Sequence, residues 1–142
     1  MYSKKLLGLE EARRVGDAAL AKAMENPERP MAIAVVDALG VLVYFVKMDG
    51  APLLATEMPL RKAYTVINFN MDTADLEKFL ADDPSRLDTT DFGDHRLTKI
   101  PGGVALRATD GTLIGAIGTS GRAPHKDKVS DLEVALAGAK AL

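Results

Sequence analysis

Three features of the chain carry residues able to do chemistry: the run Gly115-Ala-Ile-Gly-Thr-Ser-Gly121, the histidine that follows at His125, and Lys62. The run reads as a strand that ends and opens a helix. Backbone N–H groups at a helix N-terminus are unpaired and carry partial positive charge, so they can hold a carboxylate or phosphate. Gly118, Thr119, Ser120 and Gly121 are therefore the expected ligand-binding residues, with the two hydroxyls as extra donors. The other reading is that these glycines only permit a tight turn and close helix packing. No Gly-Lys-Ser/Thr follows, so this is not a Walker loop.

His125 falls in the first turn of an expected last helix and shares a face with Val129, Leu132 and Leu136. There an imidazole can serve as acid, base or metal ligand, or simply make a local hydrogen bond. His95 stands among Asp91, Asp94 and Arg96, but the spacing matches no known metal-ligand pattern, and no metal site is expected. Lys62 reads as lying opposite the core face of its helix, in a stripe with Met58, Thr65 and Phe69. A lysine so placed either snorkels over a subunit interface or faces a ligand. Asp37 and Asp49 occupy turns, where aspartate bonds its own backbone.

The elements that must position these residues follow from periodicity. Ala12, Val15, Ala19, Leu20 and Ala23 recur at helical spacing between Leu9 and Glu25, and Asn26-Pro27 ends that helix. Met31 to Val36 is an apolar, β-branched strand, and after Asp37-Ala-Leu-Gly40 a second strand returns over Val41 to Lys47. Thr56 to Phe69 reads as a helix with Leu60, Ala63, Tyr64 and Ile67 as its apolar face. Asp72 or Thr73 caps a short helix carrying Leu76, Phe79 and Leu80. Ala81 to Lys99 has no period and reads as a mobile or ligand-ordered lid. Gly103 to Ala108 and Thr112 to Thr119 form a second hairpin, and Pro124 to Leu142 a final helix. Two hairpins and flanking helices make one α/β (α+β) domain spanning 1–142 with a largely antiparallel sheet.

The 142 residues suit one domain, and a net charge of −2 with scattered Lys and Arg gives no stripe for nucleic acid. The chain has no cysteine, which excludes disulfides and thiolate catalysis. No apolar run is long enough for a signal peptide or a membrane span, so a cytoplasmic location and no membrane partner are expected.

Three segments, in order, resemble the GlcG/HbpS-type haem-degrading family: Val35-Val-Asp-Ala-Leu-Gly-Val-Leu-Val43 with Met48-Asp-Gly-Ala-Pro52; Lys62-Ala-Tyr-Thr65; and Pro101-Gly-Gly103 with Gly115 to Gly121, Pro124 and Asp127. In this chain Arg122 stands where the family usually has a second glycine, and His125 where Glu or Gln is usual. The resemblance, which extends to the C-terminal domain of PduO, implies a profilin-like fold with a five-stranded antiparallel sheet, a homo-oligomer, and haem as cofactor. The Met58, Lys62, Phe69 stripe also points to a homo-oligomer. Haem needs an apolar slot and an axial ligand, for which Tyr44, Tyr64, His95 and His125 are available. The reading is a small-molecule-binding domain taking haem or another carboxylate-bearing ligand near residues 118–125. The alternatives are an isomerase, hydratase or lyase acting on a small hydroxy or keto acid, with Lys62 and His125 as acid–base groups, and a non-catalytic accessory or sensor subunit.

Overall fold

Two turns fold the chain back on itself, and the hairpins they close supply the sheet. In the computed structural model, which describes residues 1–123, 126, 127 and 129–142, Asp37 Oδ1 accepts the N–H groups of Leu39 and Val41, and Gly40 takes φ +78°. This turn joins β1 (Ala32–Asp37) to β2 (Leu42–Lys47). Asp110 does the same for Thr112, between β3 (Gly103–Arg107) and β4 (Leu113–Ser120). The strands lie antiparallel in the order β2-β1-β4-β3.

Each face of the sheet is covered by what its side chains accept. On one face Ile33, Val35, Val104 and Ile117 meet α1 (Leu9–Ala23) and α4 (Asp131–Ala139) in the larger core, with Val15, Ala19 and Val134. The opposite face carries small residues: Ala34, Gly118 and Gly103 are cross-strand neighbours in one row, Val36, Ala116 and Ala105 in the next. α2 (Leu53–Phe69) lies directly on those rows. A Cβ on Gly118 would sit 1.9 Å from the Pro59 carbonyl oxygen, and one on Gly103 2.7 Å from that of Lys62. Glycine at these two positions is what lets helix backbone touch strand backbone. α3 (Thr73–Asp82) then runs along β3.

The sequence expectations hold for the two hairpins and for α1, and fail in four places. The sheet has four strands among the described residues, not five. The N-terminal segment adds one backbone bond, Leu7 N–H to the Ile114 carbonyl, and no ladder. The last helix starts at Asp131 rather than Pro124. Ser130 is its N-cap, accepting the Glu133 N–H, while Ala123 N–H is held by the Asp127 carboxylate outside the helix. The buried face of α2 comprises Ala55, Met58, Pro59, Lys62, Ala63, Thr65 and Val66, whereas Leu60 is 39% exposed. A sheet face paved with glycine and alanine admits the small stripe of that helix and has no room for Leu60. The stretch 81–99, finally, is not devoid of regular structure. It contains the end of α3 and a 3₁₀ turn at Thr89–Phe92, Lys99 pairs with Asp88 at 2.8 Å, and Thr98 N–H donates to Thr65 on α2.

Candidate functional site

Because α2 lies so close to the sheet, Lys62 is driven into the fold and not out of it. Its side chain is 1% exposed, and Nζ donates to the Thr119 carbonyl at 2.8 Å and to Asp131 Oδ2 at 3.0 Å. The other Asp131 oxygen accepts the Arg122 N–H at 2.9 Å, and the Thr119 hydroxyl donates to the Asp131 carbonyl at 2.5 Å. Burial pulls the Lys62 ammonium below the usual lysine range, and Asp131 opposes that pull. Burial likewise raises the Asp131 carboxyl, against Lys62 and the N–H donors of Arg122 and Gly121. The pair therefore holds together an element from each side of the sheet, α2 and the first turn of α4. With Ser120 and Gly121 it opens on a shallow cleft of about 270 Å³ walled by Met58 and Ile100.

Of the expected site residues, Lys62, Thr119, Ser120 and Gly121 meet at this corner. Gly118 does not reach it; its backbone is covered by Pro59. His125 lies outside the described residues. The expected glycine loop at a helix N-terminus is corrected, because α4 begins ten residues after Gly121. Arg122 lies at the start of that interval. It is 2% exposed, and its guanidinium donates to the carbonyls of Ala23, Asn26, Arg29 and Val129, locking the end of α1 to the segment that precedes α4. Asp131, the partner that makes Lys62 intelligible, was missed. Ser130-Asp-Leu-Glu133 matches the spacing of a capping box and would have located it.

A second, larger hollow of about 600 Å³ lies between α2 and β2. Leu42, Phe45 and Leu60 give it apolar walls, and Arg61, Arg96 and Tyr64 give it polar ones. The Tyr64 hydroxyl donates to Asp94 Oδ2 at 2.9 Å. Arg96 grips the same carboxylate through Nε and Nη2 at 3.0 and 2.9 Å, with its guanidinium carbon 4.2 Å from the centre of the Tyr64 ring. These bonds hold the Asp94 carboxyl well below the usual carboxylate range. Arg61 has a looser partner, Glu57 at 3.6 Å, and both arginines keep a large part of their side chains in solvent. Neither arginine was singled out from sequence; the Phe45 and Leu42 that face them come from the strand, and only the hairpin register brings them together.

Among the other haem-ligand candidates, Tyr44 sits on the α1 face, where it donates to Asp17 and burial with that bond pushes its phenol up to about 12. His95 is exposed beside Arg96 and does not line the hollow. Among the described residues no group of three or more His, Asp or Glu is placed to hold a metal ion, and no helix is long and apolar enough to cross a membrane.

Comparison with known proteins gives this geometry its setting. The crystal structure of a double mutant of Streptomyces reticuli HbpS is 31% identical, with a TM-score of 0.81, over 100% of this chain and 90% of that one. The PduOC:heme complex is 24% identical over 96% and 95% of the two chains, also with a TM-score of 0.81. Klebsiella pneumoniae protein ORFY is 21% identical over 99% and 93%, with a TM-score of 0.84. The last two likenesses show the fold alone. None of the curated proteins compared matches the chain. The family model described as haem degrading protein HbpS-like matches residues 7–140, so the chain belongs to the HbpS-like haem-degrading family.

Proposed function

We propose that this chain binds haem, or another flat carboxylate-bearing ligand, in the hollow between α2 and β2. One observation carries the reading: apolar walls from Leu42, Phe45 and Leu60 stand beside two partly exposed guanidinium groups, Arg61 and Arg96, in about 600 Å³. That volume falls within the roughly 300–1,000 Å³ typical of small-molecule sites, whereas the 270 Å³ cleft at Lys62 falls short of it. The donor chemistry fits haem as well. Tyr64 is the side chain that would ligate the iron, and the two arginines those that would meet the propionates through charge-assisted bonds. Haem held there would supply a redox-active iron at the Tyr64 wall. Asp94 holds both Tyr64 and Arg96 in place, and Leu60 and Phe45 would give the ring apolar contacts. Membership of the haem-degrading family supports the same ligand. Haemin titration followed at the Soret band is the test: saturable binding of one haemin per chain is expected, and a spectrum identical to free haemin would refute it.

A second reading rests on the Lys62–Asp131 pair beside Ser120 and Gly121. An amine and a carboxylate 3.0 Å apart at the floor of a cleft can exchange a proton with a small hydroxy or keto acid. Turnover of such an acid that disappears in Lys62→Arg, with the fold intact, would favour this reading; absence of turnover across a panel of these acids would remove it.

A further inference from the structure

Two of the polar groups that the hollow between α2 and β2 offers a ligand are engaged by one carboxylate. Asp94 Oδ2 accepts the Tyr64 hydroxyl at 2.9 Å and Arg96 Nη2 at 2.9 Å, while Oδ1 accepts Arg96 Nε at 3.0 Å. Oδ1 also accepts the Arg96 backbone N–H at 3.0 Å, and the Leu97 N–H donates to the Asp94 carbonyl, so the grip is built into a tight turn. Gly93, at φ +66°, admits the bend that leads into it. The turn hangs between two ties to α2: the Phe92 ring packs edge-on against Phe69, with centroids 5.7 Å apart, and the Thr98 N–H donates to Thr65 at 2.9 Å. Asp94 is not one of the residues that wall the hollow; it draws on Tyr64 and Arg96 from outside it. Arg96 keeps 56% of its side chain exposed, within reach of a second acceptor.

We propose that Asp94 competes with the ligand: it is an internal carboxylate on the arginine that a ligand's carboxylate would use, and binding exchanges one for the other. A guanidinium recognises a carboxylate best through two parallel N–H donors, and Asp94 already takes the Nε and Nη2 pair of Arg96. An incoming carboxylate therefore gains on Arg96 only what exceeds the bonds to Asp94. Tyr64 is subject to the same competition, because its one hydroxyl proton is given to Asp94. The apparent affinity is then the intrinsic one scaled by the fraction of molecules in which Asp94 has let go. Such a competitor sets selectivity. A small carboxylate with nothing else to offer is refused, and a ligand that also lays an apolar face against Leu42, Phe45 and Leu60 is admitted. The proposal rests on the hollow's being the binding site and adds the residue that decides what enters it.

Asp94→Asn keeps an oxygen for the turn and removes the charge; Asp94→Ser repeats the test if the first variant loses its native circular dichroism. If Asp94 lets go in roughly one molecule in ten, Asp94→Asn should bind haemin about tenfold tighter than wild type. Haemin dimethyl ester, which has no free carboxylate, should gain far less. Equal gains for haemin and its ester, no gain, or weaker haemin binding would each overturn the competition, the last by making Asp94 a residue that only positions Arg96. A second readout needs no ligand: the rate at which phenylglyoxal modifies Arg96, followed by peptide mass, should rise in Asp94→Asn. An unchanged rate would overturn the proposal. If haemin and its ester bind neither protein, the haem reading fails, and the labelling rate of Arg96 alone decides whether Asp94 holds that arginine back.

Discussion

Arg61 and Lys62 are neighbours in sequence and meet opposite fates. One helical step of about 100° turns Lys62 onto the sheet, where it is 1% exposed and bound by two acceptors of its own chain, and leaves Arg61 on the rim of an open hollow with one partner at 3.6 Å. The corner around Lys62 is a closed network: among the described residues no buried side-chain nitrogen or oxygen lacks a partner. The hollow around Arg61, Arg96 and Tyr64 keeps cationic groups in contact with solvent. The polar groups of both regions have partners; what separates them is that the pair at the corner is enclosed and the pairs at the hollow stay in contact with solvent. The difference teaches that the most conspicuous charge in the sequence, a lysine in an apolar stripe, marks a joint between layers, whereas two ordinary-looking arginines line the open hollow.

The largest effect expected from this contrast is at the joint. Lys62→Met leaves the Asp131 carboxylate buried without its cation and should lower stability by about 3–5 kcal/mol, measured by urea unfolding. The double change Lys62→Met with Asp131→Leu should recover part of that loss. A single variant within about 1 kcal/mol of wild type would break the comparison. Gly118→Ala comes next. Its Cβ would meet the Pro59 carbonyl at 1.9 Å, backbone against backbone, so α2 must lift from the sheet. A loss of about 3 kcal/mol is expected, because neither side of the contact can rotate away.

At the hollow the pattern should invert. Arg96→Ala is expected to leave the unfolding midpoint close to wild type and to weaken haemin binding about tenfold, with Arg61→Ala weakening it by a smaller factor. Calorimetric unfolding and haemin titration of the same preparations separate the two quantities. The smallest effect concerns pH. The Asp94 carboxyl is held below its unfolded value of 3.8 by Arg96 and Tyr64, so its stabilising contribution is present above that pH and is lost as pH falls through the folded value. Asp94→Asn should flatten the acid side of the stability profile below about pH 4; an unchanged acid limb would show that the bonds to Arg96 and Tyr64 add nothing to the folded state.

The hairpins were legible because their turns are local: Asp37 and Asp110 bond N–H groups two to four residues away, within the same short stretch of chain. The buried face of α2 was not, because two stripes of that helix are apolar and the choice between them is made by Gly118 and Gly103, far away in sequence. The start of α4 was misread at Pro124 for a similar reason. A proline suits the first turn of a helix, but Ser130 is the N-cap of α4, and the Ala123 N–H is taken by the Asp127 carboxylate. Four members of the corner, Lys62, Thr119, Ser120 and Gly121, could be named from the sequence. Asp131 and the arginines of the hollow could not, since only the packing of α2 on the sheet decides which charges are enclosed and which are left open.

Haemin titration of Tyr64→Phe and Arg96→Ala beside Lys62→Arg, each checked for native circular dichroism, tests most directly where the ligand binds. If haem occupies the hollow between α2 and β2, Tyr64→Phe shifts the Soret band, Arg96→Ala weakens binding about tenfold, and Lys62→Arg binds as wild type does. Loss of binding in Lys62→Arg, with Tyr64→Phe and Arg96→Ala unaffected, would place the ligand at the corner and contradict the assignment.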